Sequence, residues 1–284
     1  MRLELNGRGG APAVLRRAAG REFHIGREFQ AAAAIAGRDI TKLLRDRPRL
    51  AVNLVFPVLL IAGLGSVLQP TVGKVTGLNA VTLAFTGVLA ATLFQSTAAG
   101  MISIVQDREN DFSRELFVTP VWRLTLLAGK IAGESAVAFC QGGLIVAFAV
   151  AAGVRMTAAQ FAALLPPAVA CCLLGGAFGL ATIAALPNQR SAMEIFQFLI
   201  IPQYVLGGVL VPLHGVASYL GAVAWAMPLR YAVELTRAVF YAGTPGYSRV
   251  VSASPVLDAA VTGALIVVLM TCGALIFDHR ERTR

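Results

Sequence analysis

Apolar residues in this chain are collected into long runs, with the polar residues pushed to the places between them. Six runs are almost free of charge, at roughly 50–68, 79–105, 125–152, 160–186, 195–211 and 256–277. A helix rises about 1.5 Å per residue, so about 20 apolar residues cross the hydrocarbon core of a bilayer. The pattern predicts an all-α integral membrane protein with six transmembrane helices.

Ahead of the first run the period changes. Phe29, Ala32, Ala33, Ala36, Ile40, Leu43 and Leu44 fall at i, i+3, i+4, i+7 spacing and make one apolar stripe, while Arg38, Lys42 and Arg45 make a basic face. This predicts an amphipathic helix lying in the membrane interface, its basic face toward lipid headgroups. A helix packed on a cytoplasmic partner has the same pattern. Pro48 stops it. Between the second and third runs, residues 106–124 carry Asp107, Arg108, Glu109, Asp111, Arg114, Glu115 and Arg123, with Phe112, Leu116 and Phe117 on one side of a short helix. Thr119-Pro120 reads as an N-cap followed by proline at the first helical position. Lys130 and Glu134 lie one turn apart and can pair.

The stretch after the fifth run is irregular. Pro202, Gly207-Gly208 and Pro212 interrupt it, and the moderately apolar 213–242 is broken by Pro228 and carries Trp225, Tyr231 and Tyr241, of the types that favour membrane interfaces. Beginning and ending on the same side, it predicts two short helices that dip in and return. Irregular backbone at that depth needs protein or a cavity around it.

Charge then fixes a direction. The net charge of +9 would suit a nucleic-acid binder, but 11 of the 24 Lys and Arg precede the first run. With the N-terminus inside, 19 basic residues are cytoplasmic and only Lys74, Arg155, Arg230, Arg237 and Arg249 are external. The expectation is a multi-pass protein of the inner or plasma membrane with both termini cytoplasmic, touching anionic lipids and no nucleic acid. Residues 1–27 hold no apolar core of signal-peptide length. They are expected to be a loosely ordered cytoplasmic segment, with 28–284 forming one six-span domain. Composition agrees: 57% hydrophobic, 14% charged and a mean hydropathy of +0.71 exclude an ordinary soluble domain.

Catalytic signatures are missing. None of Lys42, Lys74 and Lys130 is followed by Ser or Thr after a glycine-rich run, so there is no P-loop, and HExxH and GxSxG are absent. Cys140, Cys171, Cys172 and Cys272 lie inside apolar runs without metal-site spacing, and His24, His214 and His279 lie outside the runs. Glu134, Glu194 and Asp258 fall near run ends. Deeper polar residues are neutral: Asn53, Gln95, Ser96, Thr97, Gln141, Gln197 and Gln203 either bond a neighbouring helix or line a transport path. Gly175-xxx-Gly179 permits close helix contact.

One segment has a family likeness. Asp107-Arg108-Glu109, Phe112-Ser113-Arg114-Glu115, Pro120-Val121-Trp122-Arg123 and Gly129-Lys130 resemble the cytoplasmic loop of type-2 ABC exporter permeases. The branch it looks closest to includes daunorubicin-resistance-type drug permeases and nodulation lipo-oligosaccharide permeases. The sequence departs at Asp111, where that family often has glycine. Arg38-Asp39 through Arg45-Asp46-Arg47-Pro48 with Pro57 resembles the family's interface helix and first span. Pro202 to Pro212, then Met227-Pro228-Leu229-Arg230-Tyr231 with Arg237, resembles its fifth-span end and external re-entrant pair.

The resemblance implies a non-catalytic permease subunit that exports an amphipathic drug, lipid or lipid-linked glycan, with antibiotic efflux among the family's roles. This chain would bind no cofactor; ATP and Mg would sit on a separate ABC ATPase subunit, and a second permease copy or paralogue would complete the transporter. The coupling helix on the ATPase would use Asp107, Arg108, Glu109, Phe112, Arg114, Glu115, Leu116 and Pro120. Asn53, Gln95, Gln203, Pro228 and Arg230 are the candidates for a transport path or gate. An ATP-independent transporter or channel, a membrane enzyme and a membrane scaffold are the other classes compatible with six spans.

Overall fold

The computed structural model describes residues 37, 41, 47–70, 77–109, 123–210, 212 and 218–282, and most of these are helical, with no strand among them. In chain order the helices are α1 (Arg47–Leu68), α2 (Ala80–Gly100), α3 (Ile102–Glu109), α4 (Arg123–Ala151), α5 (Ala158–Ala163), α6 (Leu165–Ile183), α7 (Gln189–Leu206), α8 (Ser218–Trp225), α9 (Pro228–Phe240), α10 (Tyr247–Val250) and α11 (Pro255–Arg282). Each apolar run coincides with a helix. The run expected at 160–186 is divided: α5 opens on a capping box between Thr157 and Gln160 and ends at Leu164, and α6 restarts with proline in its first turn. Proline fits there because the first turn leaves its N–H groups unused.

Four stretches are long and apolar enough to cross a membrane: Ala80–Gln106, Leu127–Ala151, Ala158–Ile183 and Pro255–Phe277. Among the described residues α1 contributes only Leu54–Leu68 to that criterion. In α7 the apolar run is diluted by Arg190, Glu194, Gln197 and Gln203.

The packing gives the relative directions of the helices. Gly65 of α1 meets Val81, and Gly100 near the end of α2 meets Glu134 in the early part of α4, so both neighbours run against α2. Tyr204 late in α7 bonds Gln95, and Val209 beyond it meets Gly87, so α7 also runs against α2. Gly175 and Gly179 face Phe94 and Ala98 in matching order, and Gly273 of α11 meets Leu180, so α6 and α11 run with α2. The six long helices therefore alternate in direction.

At the centre is α2, its most apolar window 72% buried, whereas that of α11 is 11% buried. Apolar side chains gain nothing by leaving lipid for protein, so close packing must hold such a bundle together. Glycine supplies it here. A Cβ at Gly175 would overlap the Phe94 carbonyl, and one at Gly176 would stand 3.0 Å from Ile131, so α6 rests on the α2 backbone with Phe178 against Phe94 at 5.4 Å between ring centres.

Candidate functional site

A cavity of about 570 Å³ opens between α1, α2, α4 and α7. Its walls are apolar, from Phe56, Pro57 and Leu60 on α1 to Ile200, Ile201 and Val205 on α7, and its polar groups are Thr92, Gln95, Ser96, Gln141, Gln197 and Tyr204. Helical spacing assembles them: Thr92, Gln95 and Ser96 are i, i+3, i+4 on α2, and Gln197 and Tyr204 are two turns apart on α7. Four of the seven neutral polar residues singled out in the sequence thus meet in one space. The Tyr204 hydroxyl donates to Gln95 Oε1 at 2.7 Å and its ring stands edge-on to Phe56, with ring centres 6.2 Å apart. Gln141 Nε2 and Thr92 Oγ1 are buried and have no hydrogen-bond partner among the described residues. Thr97 faces away from the cavity, its hydroxyl donating to Leu93 O at 3.0 Å.

On another face of the same C-terminal half of α7, Gln203 joins Pro228 and Arg230 in a different arrangement. The Leu229 N–H, one of the unpaired donors at the start of α9, donates to Gln203 Oε1 at 3.2 Å beside Pro228 at the head of that helix. Arg230 lies over the Trp225 ring at 4.1 Å from its centre, and Tyr231 donates to Trp225 O at 2.7 Å. The break at Pro228 is where the sequence places it, dividing α8 from α9. Helix α9 is wedged among α2, α6 and α11, with Phe240 edge-on to Phe85 at 5.8 Å and Thr236 beside Cys171 at 3.7 Å.

The face carrying Arg230, Glu234 and Arg237 is buried. Arg237, 1% exposed, donates from Nη2 to Val209 O at 3.1 Å, in a gap that a Cβ at Gly87 would close. Glu234, three residues before it on α9, is an opposite charge close enough to act on it. Glu234 Oε2 accepts from the Ser252 N–H at 2.9 Å and holds the chain entering α11. Glu234 does not stand out in the sequence because it lies outside the long apolar runs. The i, i+4, i+7 spacing of Arg230, Glu234 and Arg237 was the available signal. Thr92 and Tyr204 do not stand out either, since each is polar only at one atom of an otherwise apolar wall.

At the opposite end Met101, with helical backbone angles (φ −65°, ψ −20°), joins α2 to α3. Lys130 Nζ and Glu134 Oε1 pair at 3.0 Å on α4, the anticipated i, i+4 contact, with both side chains buried. The Glu134 carboxylate fills the space above Gly100 that a Cβ would need. Asp107, Arg108 and Glu109 are on α3, and Asn53 is on α1, by their backbone alone; their side chains lie outside the described residues. Phe112, Arg114, Glu115, Leu116 and Pro120, and with them Arg38, Lys42 and Arg45, lie outside the described residues altogether.

No curated protein matches the chain in a sequence search. The model of the ABC-2 type transporter family matches residues 30–241, three quarters of its length and the whole of the cavity and the α7–α9 assembly. The chain belongs to the ABC-2 type transporter family: it is a membrane protein of the permease type, and the family implies an ABC ATPase as its companion subunit.

Proposed function

We propose that the chain is the export permease of an ATP-driven transporter, and that the cavity between α1, α2, α4 and α7 lies on the path of an amphipathic drug, lipid or lipid-linked glycan. The observation that carries the reading is the gathering of Gln95, Ser96, Gln141, Gln197 and Tyr204 into one space inside an apolar bundle. Polar groups are costly in a membrane interior unless they bond one another or serve a path.

The alternating directions of six long helices support six crossings, α1 and α7 included, with α8 and α9 as a re-entrant pair. The contacts of α9 with Phe85 and Cys171, inside α2 and α6, support that depth. Exposed apolar residues flank the cavity, Phe56 and Leu59 on α1 and Phe198 and Ile201 on α7. A second permease, identical or paralogous, closes the cavity along those faces. The three arginines of 106–124 and the basic excess of both terminal segments support a cytoplasmic position for them, in a cell whose inner or plasma membrane holds the protein. The N-terminal amphipathic segment lies on its lipid headgroups.

Energy comes from a separate subunit that holds ATP and Mg. Its closure moves the coupling segment, with Phe112 and Leu116 as buried anchors and Arg114 and Glu115 as polar contacts. From there the movement passes through α3, joined to α2 at Met101, and the Glu134 seat at Gly100 to the cavity wall. The test is ATP-dependent accumulation of a fluorescent amphiphile in inside-out vesicles containing the permease and its cognate ATPase. Accumulation that vanishes when the ATPase P-loop lysine is replaced supports export. Accumulation indifferent to that change refutes it.

A further inference from the structure

The contacts between helices give each wall residue of the cavity a depth. Val209, beyond the end of α7, meets Gly87, and Tyr204 bonds Gln95. Leu210 therefore lies toward the start of α2, and Gln197, two turns before Tyr204, lies near its end. Gly65 of α1 meets Val81, which puts Leu60 toward the start of α2 as well. Polarity follows the same order. Gln95 and Ser96, half-buried, and Gln197, exposed, line the half of the cavity nearer α3. Oε1 of Gln95 is taken by Tyr204, which leaves its Nε2 to donate. In the other half Leu60, Val205 and Leu210 are apolar, while Thr92 Oγ1 and Gln141, 2% exposed, are enclosed by protein and out of a ligand's reach. The two poles lie about 10 Å apart, the rise of seven helical residues. One turn before Gln197 stands the exposed pair of Arg190 and Glu194, Nε to Oε1 3.1 Å, which presents both signs of charge at the polar pole.

We infer that the cavity holds a single-headed amphiphile lengthwise, its hydrogen-bonding head at Gln95, Ser96 and Gln197 and its hydrocarbon at Leu60, Val205 and Leu210. This deepens the proposal that the cavity is the transport path, and rests on it. A space of about 570 Å³ takes one drug-sized molecule. Turned end for end, the head would face apolar walls, and Gln95 Nε2, Ser96 and Gln197 would face hydrocarbon, so hydrogen bonds are lost at both ends. With residues 106–124 in the cytoplasm, the head points inward as it does in a lipid of the inner leaflet. Such a molecule enters without turning over. Ser96 and Gln197 are its head-binding residues. Because Arg190 and Glu194 offer either sign of charge beside them, the site discriminates by where a molecule carries its polar group rather than by the sign of a charge on it.

The test uses the full-length permease in lipid nanodiscs and two isomeric photoprobes, decanoyl-N-methylglucamides with a diazirine on the third or on the ninth carbon of the chain. Residues whose labelling is displaced by excess unlabelled glucamide are identified by mass spectrometry. The third-carbon probe should label α2 within 95–99 and α7 within 197–201. The ninth-carbon probe should label Leu60, Val205 and Leu210. Gln197→Leu and Ser96→Ala should each raise the half-saturation of both probes about fivefold, the loss of one hydrogen bond. Labels exchanged between the two probes, or one pattern for both, overturn the inference, and so does indifference of the probes to both substitutions. ATP-dependent accumulation of the unlabelled glucamide in inside-out vesicles, with the cognate ATPase present, separates the two readings. Accumulation without end-specific labelling leaves export standing and overturns the orientation, while end-specific labelling without accumulation keeps the site and overturns export.

Discussion

Glu134→Gln isolates the charge of one buried pair from its shape. Glutamine has the same outline, so the space above Gly100 stays filled while the ion pair with Lys130 is lost. At 3.0 Å, with an effective dielectric constant of about 20, the attraction is about 5 kcal/mol. Desolvation of two side chains, 7% and 10% exposed, offsets much of that gain. Removing one partner nevertheless leaves the other charge buried, which costs about 3 kcal/mol. Lys130→Met has a similar cost from the other side, whereas Lys130→Met with Glu134→Gln removes both charges and costs about 1 kcal/mol. A thiol-reactive dye reads this directly, because Cys171 and Cys172 are buried and become reactive on unfolding. Cys140 and Cys272, which are exposed, are first replaced by alanine. Each single variant should melt on the order of 10 °C lower, with the double variant close to the parent. A double variant that loses as much as the two singles together would refute the pairing, and so would a single variant that melts with the parent.

Other parts of the bundle give equally direct outcomes. Gly175→Leu should lower stability by about 3 kcal/mol or prevent folding, since its Cβ meets the Phe94 carbonyl and α6 must lift off α2; an unchanged melting temperature contradicts this contact. Gln203→Leu strips the acceptor from the Leu229 N–H and should speed hydrogen exchange in the first turn of α9 by about tenfold, with α6 unaffected. Arg237→Met releases Val209 O and removes one of the two arginines beside Glu234 on α9, a loss of about 3 kcal/mol that Arg237→Lys recovers only in part, as melting measurements would show.

The helices were legible in the sequence because a membrane interior imposes one strict rule. Backbone polar groups must bond within the segment, so a long apolar run can be little else than a helix. Breaks were legible where proline or glycine caused them, as at Pro228. The division at Leu164 was not foreseen, because the apolar run continues through it and only Pro166-Pro167 marks the restart. The candidate site was legible by residue type and illegible by grouping. Gln95, Ser96, Gln141 and Gln197 come from three helices, and nothing in their spacing distinguishes them from Gln203, which caps α9, or Thr97, which bonds its own backbone. Depth in a span can be read from position, but which neighbour a side chain faces depends on helix rotation. Glycine contacts at Gly87, Gly100 and Gly175 fix that rotation through atoms that only the folded bundle brings close.

The proposed source of energy is a separate ATPase bound at residues 106–124. Affinity purification of the tagged protein from its own host in mild detergent, with mass spectrometry of what co-purifies, tests it most directly. A stoichiometric partner carrying a P-loop, lost when Phe112 and Glu115 are both replaced by alanine while the permease still melts normally, is the predicted result. Absence of any ATPase at any stoichiometry would contradict the account, and so would an ATPase retained in full by the double variant.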